Sequence, residues 1–362
     1  MTTIAVLGAG AGGAAATAEL ILNGYPVRLW NRSAETLRPF QNSAGVGYEG
    51  VLGDGRVEPE LISDNLQAVL DNADGILVCL PTLAHGSVAA SLADLGSTSL
   101  PVVLNPGHTG GAMEFHQTYR TKGIEPPPIA EFSTLTYIAR KLSPDTVTIT
   151  GAAKQVRVAG MAGSPAAVQL AQTLFSSAVS SEDVIATSLS NVNLVLHPPG
   201  CVLGAAWVQA TGGDFTFYVD GMTDGVGQVM QQLDDERRRV AHAFGHSLLP
   251  LEEEMFAIGT VDALDAETSL AEKIRSGTAN RKIKAPDSLA HRYYMEDFWY
   301  GLTPFIALAD AAGEPVPVAT SLMTMVAALQ GKIDSPLGRT PERMGIQGLA
   351  KQQIINLVRG NN

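Results

Sequence analysis

The feature that most constrains this chain is a short apolar run, Thr3-Ile-Ala-Val-Leu7. It breaks into Gly8-Ala-Gly10-Ala-Gly12-Gly13 and continues as an alanine-rich stretch, Ala14 to Asn23. The run is too short and too β-branched for a helix and reads as a buried strand. Gly8 permits a tight turn, Gly10 lets backbone approach a pyrophosphate, and Gly13 lets the next helix pack close to the strand. That helix opens with unpaired N–H groups and a positive dipole end. Together with Ala9, Ala11 and Gly12 these glycines form a dinucleotide-binding loop, because the motif sits between a strand and a helix. A second strand, Pro26-Val-Arg-Leu-Trp30, follows Gly24 and completes a βαβ unit.

The residues after that second strand bear on the cofactor. An NAD-binding unit usually places Asp or Glu there for the adenine ribose hydroxyl. This chain has Asn31-Arg32-Ser33 instead. An acidic residue repels a 2′-phosphate, whereas Arg and Ser hold one through charge-assisted and hydroxyl hydrogen bonds. NADP(H) is therefore expected ahead of NAD(H). The alternative is that Arg32 only stacks on adenine and the site takes either cofactor.

A chain of 362 residues suggests two domains of ordinary size, and 45% hydrophobic content is ample for their cores. The net charge of −12 argues against nucleic acid or an anionic membrane as partner. It also means that a pocket for anions must be built locally. Cys79 and Cys201 lie in apolar surroundings without CxxC spacing, which reads as reduced thiols in a cytoplasmic protein. No uninterrupted apolar run reaches membrane-spanning length.

Further along, helices are expected over Ala34 to Asn42, over Asn65 to Asn72 behind an Asp64 cap, and over Leu83 to Leu95. Val46 to Gly55 reads as a hairpin insertion. Gly75-Ile-Leu-Val-Cys-Leu80 is a continuous apolar run, the mark of a strand buried on both faces. It ends at Pro81, where open α/β sheets bind ligands, so Leu80 and Pro81 join the cofactor candidates. Pro101 to Leu104 is another strand, and it opens into a second glycine-rich loop, Asn105-Pro-Gly-His-Thr-Gly-Gly111, before a helix from Met113 to Thr121. Asn105 and Gly107 are candidates on the nicotinamide side and Thr109 on the substrate side. His108 is a candidate proton carrier in this loop, although with nothing in the sequence to orient it the residue reads first as a surface loop residue. Ile129 to Tyr137, Val147 to Thr150 and Val156 to Ala159 read as strands, and Ala166 to Ser176 as an amphipathic helix. The strand–helix alternation describes a Rossmann-type, doubly wound parallel sheet over residues 1–184. From 185 to 362 helical periodicity dominates, giving an all-helical second domain with the active site in the cleft between the two.

Two stretches of the helical half carry polar groups suited to chemistry. In Ser188-Leu-Ser-Asn-Val-Asn-Leu-Val-Leu-His-Pro198, Asn193 and His197 are four apart and share a helical face. Pro198 is expected to end that turn at His197. In Arg292-Tyr-Tyr-Met-Glu-Asp297, Asp297 sits among aromatic residues and needs a partner. A histidine would suit it, oriented and tuned as a general acid–base. Arg292 either clamps a substrate carboxylate or simply pairs with Glu296 four residues on. His242 and His246 lack a third ligand, so no metal is expected. Asp234-Asp-Glu-Arg-Arg-Arg-Val reads as a solvated helix face. Ser321 to Leu329 is core or a dimer surface, and a homodimer is expected.

With the Gly8–Gly13 fingerprint and the run from Asn105 to Phe115, these two stretches resemble the octopine/nopaline (opine) dehydrogenases, especially bacterial N-(1-carboxyethyl)-amino-acid dehydrogenases. The resemblance runs nearly end to end. It implies that His197 and Asp297 form a catalytic dyad across the cleft, with Asn193 and Arg292 at the substrate. The implied reaction is reductive condensation of a 2-oxo acid such as pyruvate with an amino acid's amino group, through an imine. Asn31-Arg32 departs from relatives with an acidic residue there. Rival readings are a ketone reductase of the ketopantoate reductase or glycerol-3-phosphate dehydrogenase type, and a non-catalytic NADP(H)-binding regulator. Ketone reductases typically use a lysine early in the helical domain, and there is none between Val184 and Trp207. A regulator needs no His/Asp pair.

Overall fold

The computed structural model describes residues 2–96, 99–262, 264–265, 267–278, 281–332 and 338–361. Twelve strands precede residue 181: β1 (Ile4–Leu7), β2 (Val27–Trp30), β3 (Val46–Gly50), β4 (Gly55–Val57), β5 (Leu61–Ser63) and β6 (Gly75–Val78), then β7 (Val102–Leu104), β8 (Ile129–Phe132), β9 (Tyr137–Arg140), β10 (Thr146–Ala152), β11 (Val156–Met161) and β12 (Ala178–Ser180). Eight of them form one sheet in the order β12-β11-β8-β7-β6-β1-β2-β5. From β5 to β8 all neighbours are parallel; β11 runs antiparallel to β8 and carries β12 parallel to itself. Strand order reverses between β1 and β6, the switch point whose carboxyl-end crevice takes ligands in open α/β sheets. This is the nucleotide-binding domain, and an α-helical domain follows it.

Alternation along β1 shows how the layers are filled. Ala5 and Leu7 face a core shared with the helical half, while Ile4 and Val6 face the helix Ala11–Leu22 and a second sheet. That smaller sheet has the order β4-β3-β10-β9. The expected hairpin is its β3–β4 edge. The stretch from Ile129 to Tyr137, expected as one strand, divides between the two sheets, because the chain turns over residues 133–136. Ser133, Thr134 and Thr136 fall in the turn, but none of them is a glycine or proline that would mark a break in a strand. The short helix Leu66–Leu70 is capped by Asn65, whose Oδ1 accepts from Ala68 N, and not by Asp64.

Beyond Ser180 the regular elements among the described residues are helices, apart from an isolated bridge between Thr216 and Lys284. The helix Asp224–Ala243 runs through the middle of this half. Its polar run is no solvated face: Asp234, Glu236 and Arg237 are buried. Arg237 donates to Asp234 and to the carbonyls of Leu189 and Leu249. Glu236 accepts from Val318 N and Ala319 N at the start of the helix Pro317–Leu329. Buried charges persist here because each meets its partners.

Candidate active site

The nucleotide side is shaped by what a side chain would hit. Gly8 has φ +120°, and a Cβ there would stand 2.3 Å from Cys79 O; one on Gly13 would stand 1.8 Å from Gly8 O. Gly10, by contrast, is exposed, and a Cβ on it would meet nothing within 4 Å. Two glycines thus let strand and helix touch, and the third leaves open space at the start of the helix Ala11–Leu22. This cradle fits a dinucleotide's pyrophosphate. At the end of β2, Asn31 Oδ1 accepts from Ala9 N at 3.2 Å, so its side chain holds the glycine loop. Ser33 caps the next helix through Thr36 N, and Arg32 is exposed.

A cleft of about 900 Å³ joins this loop to the helical half. Gly10, Ala11, Gly12, Leu80, Pro81 and Asn105 line one side; Asn193, His197, Tyr218, Arg292 and Asp297 line the other. Gly107 and Thr109 are not among the lining residues. Gly107 packs against Glu131, and the Thr109 hydroxyl donates to Ser188 O and accepts from Asn191 Nδ2. Gly107 and Thr109 therefore brace the second glycine-rich loop from beneath.

His197 lies in the helix Asn193–Leu203, which winds on through Pro198 and Pro199 instead of stopping at Pro198. Proline disfavours helix at the residue before it, but Leu194 to Val202 are all buried, and packing overrides the local preference. Asp297 ends the helix Arg292–Asp297 and leads into a π-helical turn, Phe298–Leu302. A hundred residues apart in sequence, the two side chains meet: His197 Nδ1 lies 2.6 Å from Asp297 Oδ2, with both nearly excluded from solvent. The carboxylate accepts, so Nδ1 carries the proton and Nε2 points the other way, 2.6 Å from the Tyr218 hydroxyl. Tyr293 stacks on the imidazole with ring centroids 3.8 Å apart. Arg292 lies over the other partner of that stack, 5.5 Å from the Tyr293 centroid, and among the described residues it makes no ion pair with Glu296. Burial pushes the Glu296 carboxyl up to about 7, against the pull of Arg292.

His108, expected at the surface, is buried and lines the cleft. Burial, reinforced by the nearby Arg339 and Arg292 and opposed by Asp297, lowers it to about 4, so it is neutral at neutral pH. Its loop is held by residues that no local pattern exposes. Arg339, fully buried, donates to Glu114 Oε2 and to the carbonyls of Gly107 and Thr109. Glu131 accepts from Ala112 N, Thr187 and Ser188, and burial still raises it to about 7. The only local hint of Arg339 is the glycine before it: Gly338 has φ +84°, and a Cβ there would stand 1.9 Å from Trp299 O. His246, considered with His242 for a metal, is instead buried against Asp183, 2.9 Å away.

Residues 180–330 match the family model for the α-helical domain of NAD/NADP octopine/nopaline dehydrogenase, and residues 3–180 match that for the N-terminus of NAD-dependent glycerol-3-phosphate dehydrogenase. An opine dehydrogenase of Arthrobacter sp. (strain 1C) is 31% identical over 361 residues, 98% of each chain. The chain belongs to the opine dehydrogenase family. It is accordingly an NAD(P)-dependent oxidoreductase acting on CH–NH bonds. The vitopine synthase of Allorhizobium ampelinum is 22% identical, covering 90% of this chain and 89% of its own. The opine dehydrogenase fold is equally plain in solved structures. An octopine dehydrogenase with NADH and L-arginine superposes with a TM-score of 0.79 at 18% identity, covering 100% of this chain and 99% of that one. A yersinopine dehydrogenase with NADP+ gives 0.72 at 14% identity, covering 100% and 98%.

Proposed function

We propose that this chain condenses a 2-oxo acid of the pyruvate type with the amino group of an amino acid and reduces the resulting imine, with His197 and Asp297 as its acid–base pair. The observation that carries this reading is the 2.6 Å contact between the two side chains in the wall facing the glycine cradle. A nicotinamide cofactor held along this cradle would supply the hydride. His197 takes and returns protons at Nε2, while Asp297 fixes the tautomer and the orientation of the ring. Arg292, which makes no ion pair among the described residues, receives the oxo-acid carboxylate, and Asn193 offers its amide from the same helical face as His197. Neutral His108 supports them as a hydrogen-bonding group. Anionic substrates meet local positive charge despite the net −12, because Arg140 and Lys154 from one side and Arg281 and Lys282 from the other also line the cleft.

The cofactor reading extends to its phosphate: NADPH is preferred over NADH, supported by exposed Arg32 and Ser33 where an acidic residue is usual. Division of the chain at 184/185 is supported by the two family models, which meet at residue 180. A homodimer is the assembly proposed, Met325 and Leu329 leaving apolar surface on the helix Pro317–Leu329.

NADPH oxidation with pyruvate alone, then with pyruvate plus a panel of amino acids, tests the reaction. Oxidation only when both partners are present is the expected result. Oxidation with the oxo acid alone overturns it in favour of a hydroxy-acid-forming reductase.

A further inference from the structure

We propose that Tyr218 is a catalytic residue of this enzyme, the group through which His197 exchanges protons with the substrate. The inference rests on the acid–base role of His197 given above and adds the route that its protons take. Both nitrogens and one face of the imidazole are occupied. Nδ1 is engaged by Asp297 at 2.6 Å, one face by the Tyr293 ring at 3.8 Å, and Phe217 meets the ring edge-on with centroids 5.8 Å apart. Nε2, the remaining nitrogen, is engaged by the Tyr218 hydroxyl at 2.6 Å. A substrate atom cannot occupy the same position, so the hydroxyl stands where a proton donor or acceptor for the substrate has to be. Tyr218 itself lines the cleft, as do Asn193 and Arg292.

The phenol has the chemistry for this. Burial first, then the neighbouring Tyr293 and Asp297, hold it well above its usual range, so it does not stand as a phenolate. A relay needs none. When the substrate ammonium is deprotonated, its N–H proton passes to the Tyr218 oxygen as the phenolic proton passes to the lone pair of His197 Nε2. When hydroxide leaves the carbinolamine, the phenolic proton goes to the departing oxygen, which leaves as water. The imidazolium Nε2–H then replaces the proton on Tyr218. In each exchange one O–H bond at Tyr218 breaks and another forms, and the residue ends as it began. Tyr293, with its hydroxyl 3.4 Å from that of Tyr218, keeps the phenol oxygen solvated by a protein group during the exchange.

Tyr218→Phe removes the hydroxyl and nothing else. Expected is a fall in kcat of about a hundredfold or more, the range of a lost acid–base group. KM for both substrates should stay within about threefold, with NADPH binding unchanged by fluorescence titration. In mixtures of light and heavy water the parent rate should depend on deuterium fraction along a curve, two protons moving together, and the variant's along a straight line. A kcat within threefold of the parent overturns the proposal, as does a loss of kcat with the curve intact, which is what a merely structural role gives. Tyr218→difluorotyrosine keeps shape and hydrogen bond while acidifying the phenol. It should displace the pH dependence of kcat, and an unmoved profile overturns the relay even if the Phe variant fails to fold. His197→Ala in parallel separates the two readings: if it retains turnover, the acid–base reading itself fails.

Discussion

The two walls of the cleft are made in opposite ways. The nucleotide side is shaped by absent atoms: Gly8 and Gly13 let backbone meet backbone, and Gly10 leaves open space. The helical side is shaped by side chains that other parts of the chain force into place, His197 against Asp297 and Tyr218. A site made of backbone is local, and at Gly8 and Gly13 it leaves no room for an added carbon. A site made of side chains is dispersed, and each atom in it can be removed without dismantling the fold.

That contrast can be broken by experiment. The largest effect belongs to the helical wall. His197→Ala should lower kcat by about 10²–10⁴-fold while NADPH still binds, checked by single-turnover rates and nucleotide titration. Loss of nucleotide binding would show that the walls are not separable. Next come the glycines. Gly13→Ala puts a carbon 1.8 Å from Gly8 O, so it should cost about 1–3 kcal/mol of stability in thermal or urea unfolding and weaken NADPH binding as well. Gly10→Ala, entering open space on extended backbone, should leave stability equal or slightly raised and weaken NADPH binding alone. If both variants lose stability alike, the cradle is structural only.

Arg32→Ala sharpens the cofactor side of the comparison. It should raise KM for NADPH by about tenfold, equivalent to about 1.4 kcal/mol, and leave that for NADH unchanged. Equal effects on both cofactors would assign Arg32 to adenine stacking. The smallest effect concerns Glu296. Its carboxyl is raised to about 7, so the folded protein holds a proton that the unfolded chain releases near 4.5. Stability from this group is therefore full below about 4.5 and declines as pH rises towards about 7. Glu296→Gln should remove that decline, and its advantage over the parent in urea unfolding should grow across the window by on the order of 1 kcal/mol, given the solvent in the cleft. A constant difference between the two proteins would place the carboxyl at its ordinary value.

The same contrast explains what could be read from the chain in advance. The βαβ start was legible because Gly8 to Gly13 are neighbours in sequence and their work is done within that span. The dyad became legible only through a family resemblance, since nothing in the spacing of His197 and Asp297 brings them together. Where charges were read from local pattern, the reading failed at Asp234, Glu236 and Arg237. Whether a charge is solvated depends on partners such as Leu249 O and Val318 N, which lie elsewhere in the chain. His108 failed for the same reason: the layer that buries it comes from the other half. Pro198 shows the converse, a sound local preference overruled by the burial of Leu194 to Val202.

Arg339 carries a consequence for the order of events in the cell. The loop from Asn105 to Gly111 leaves the ribosome early, yet the guanidinium that holds the carbonyls of Gly107 and Thr109 is made more than two hundred residues later. A nascent chain can fold its nucleotide sheet long before that cation arrives. The last support of the loop is therefore added late in synthesis, and the growing chain passes through a stage that has its cradle but lacks a braced active-site loop.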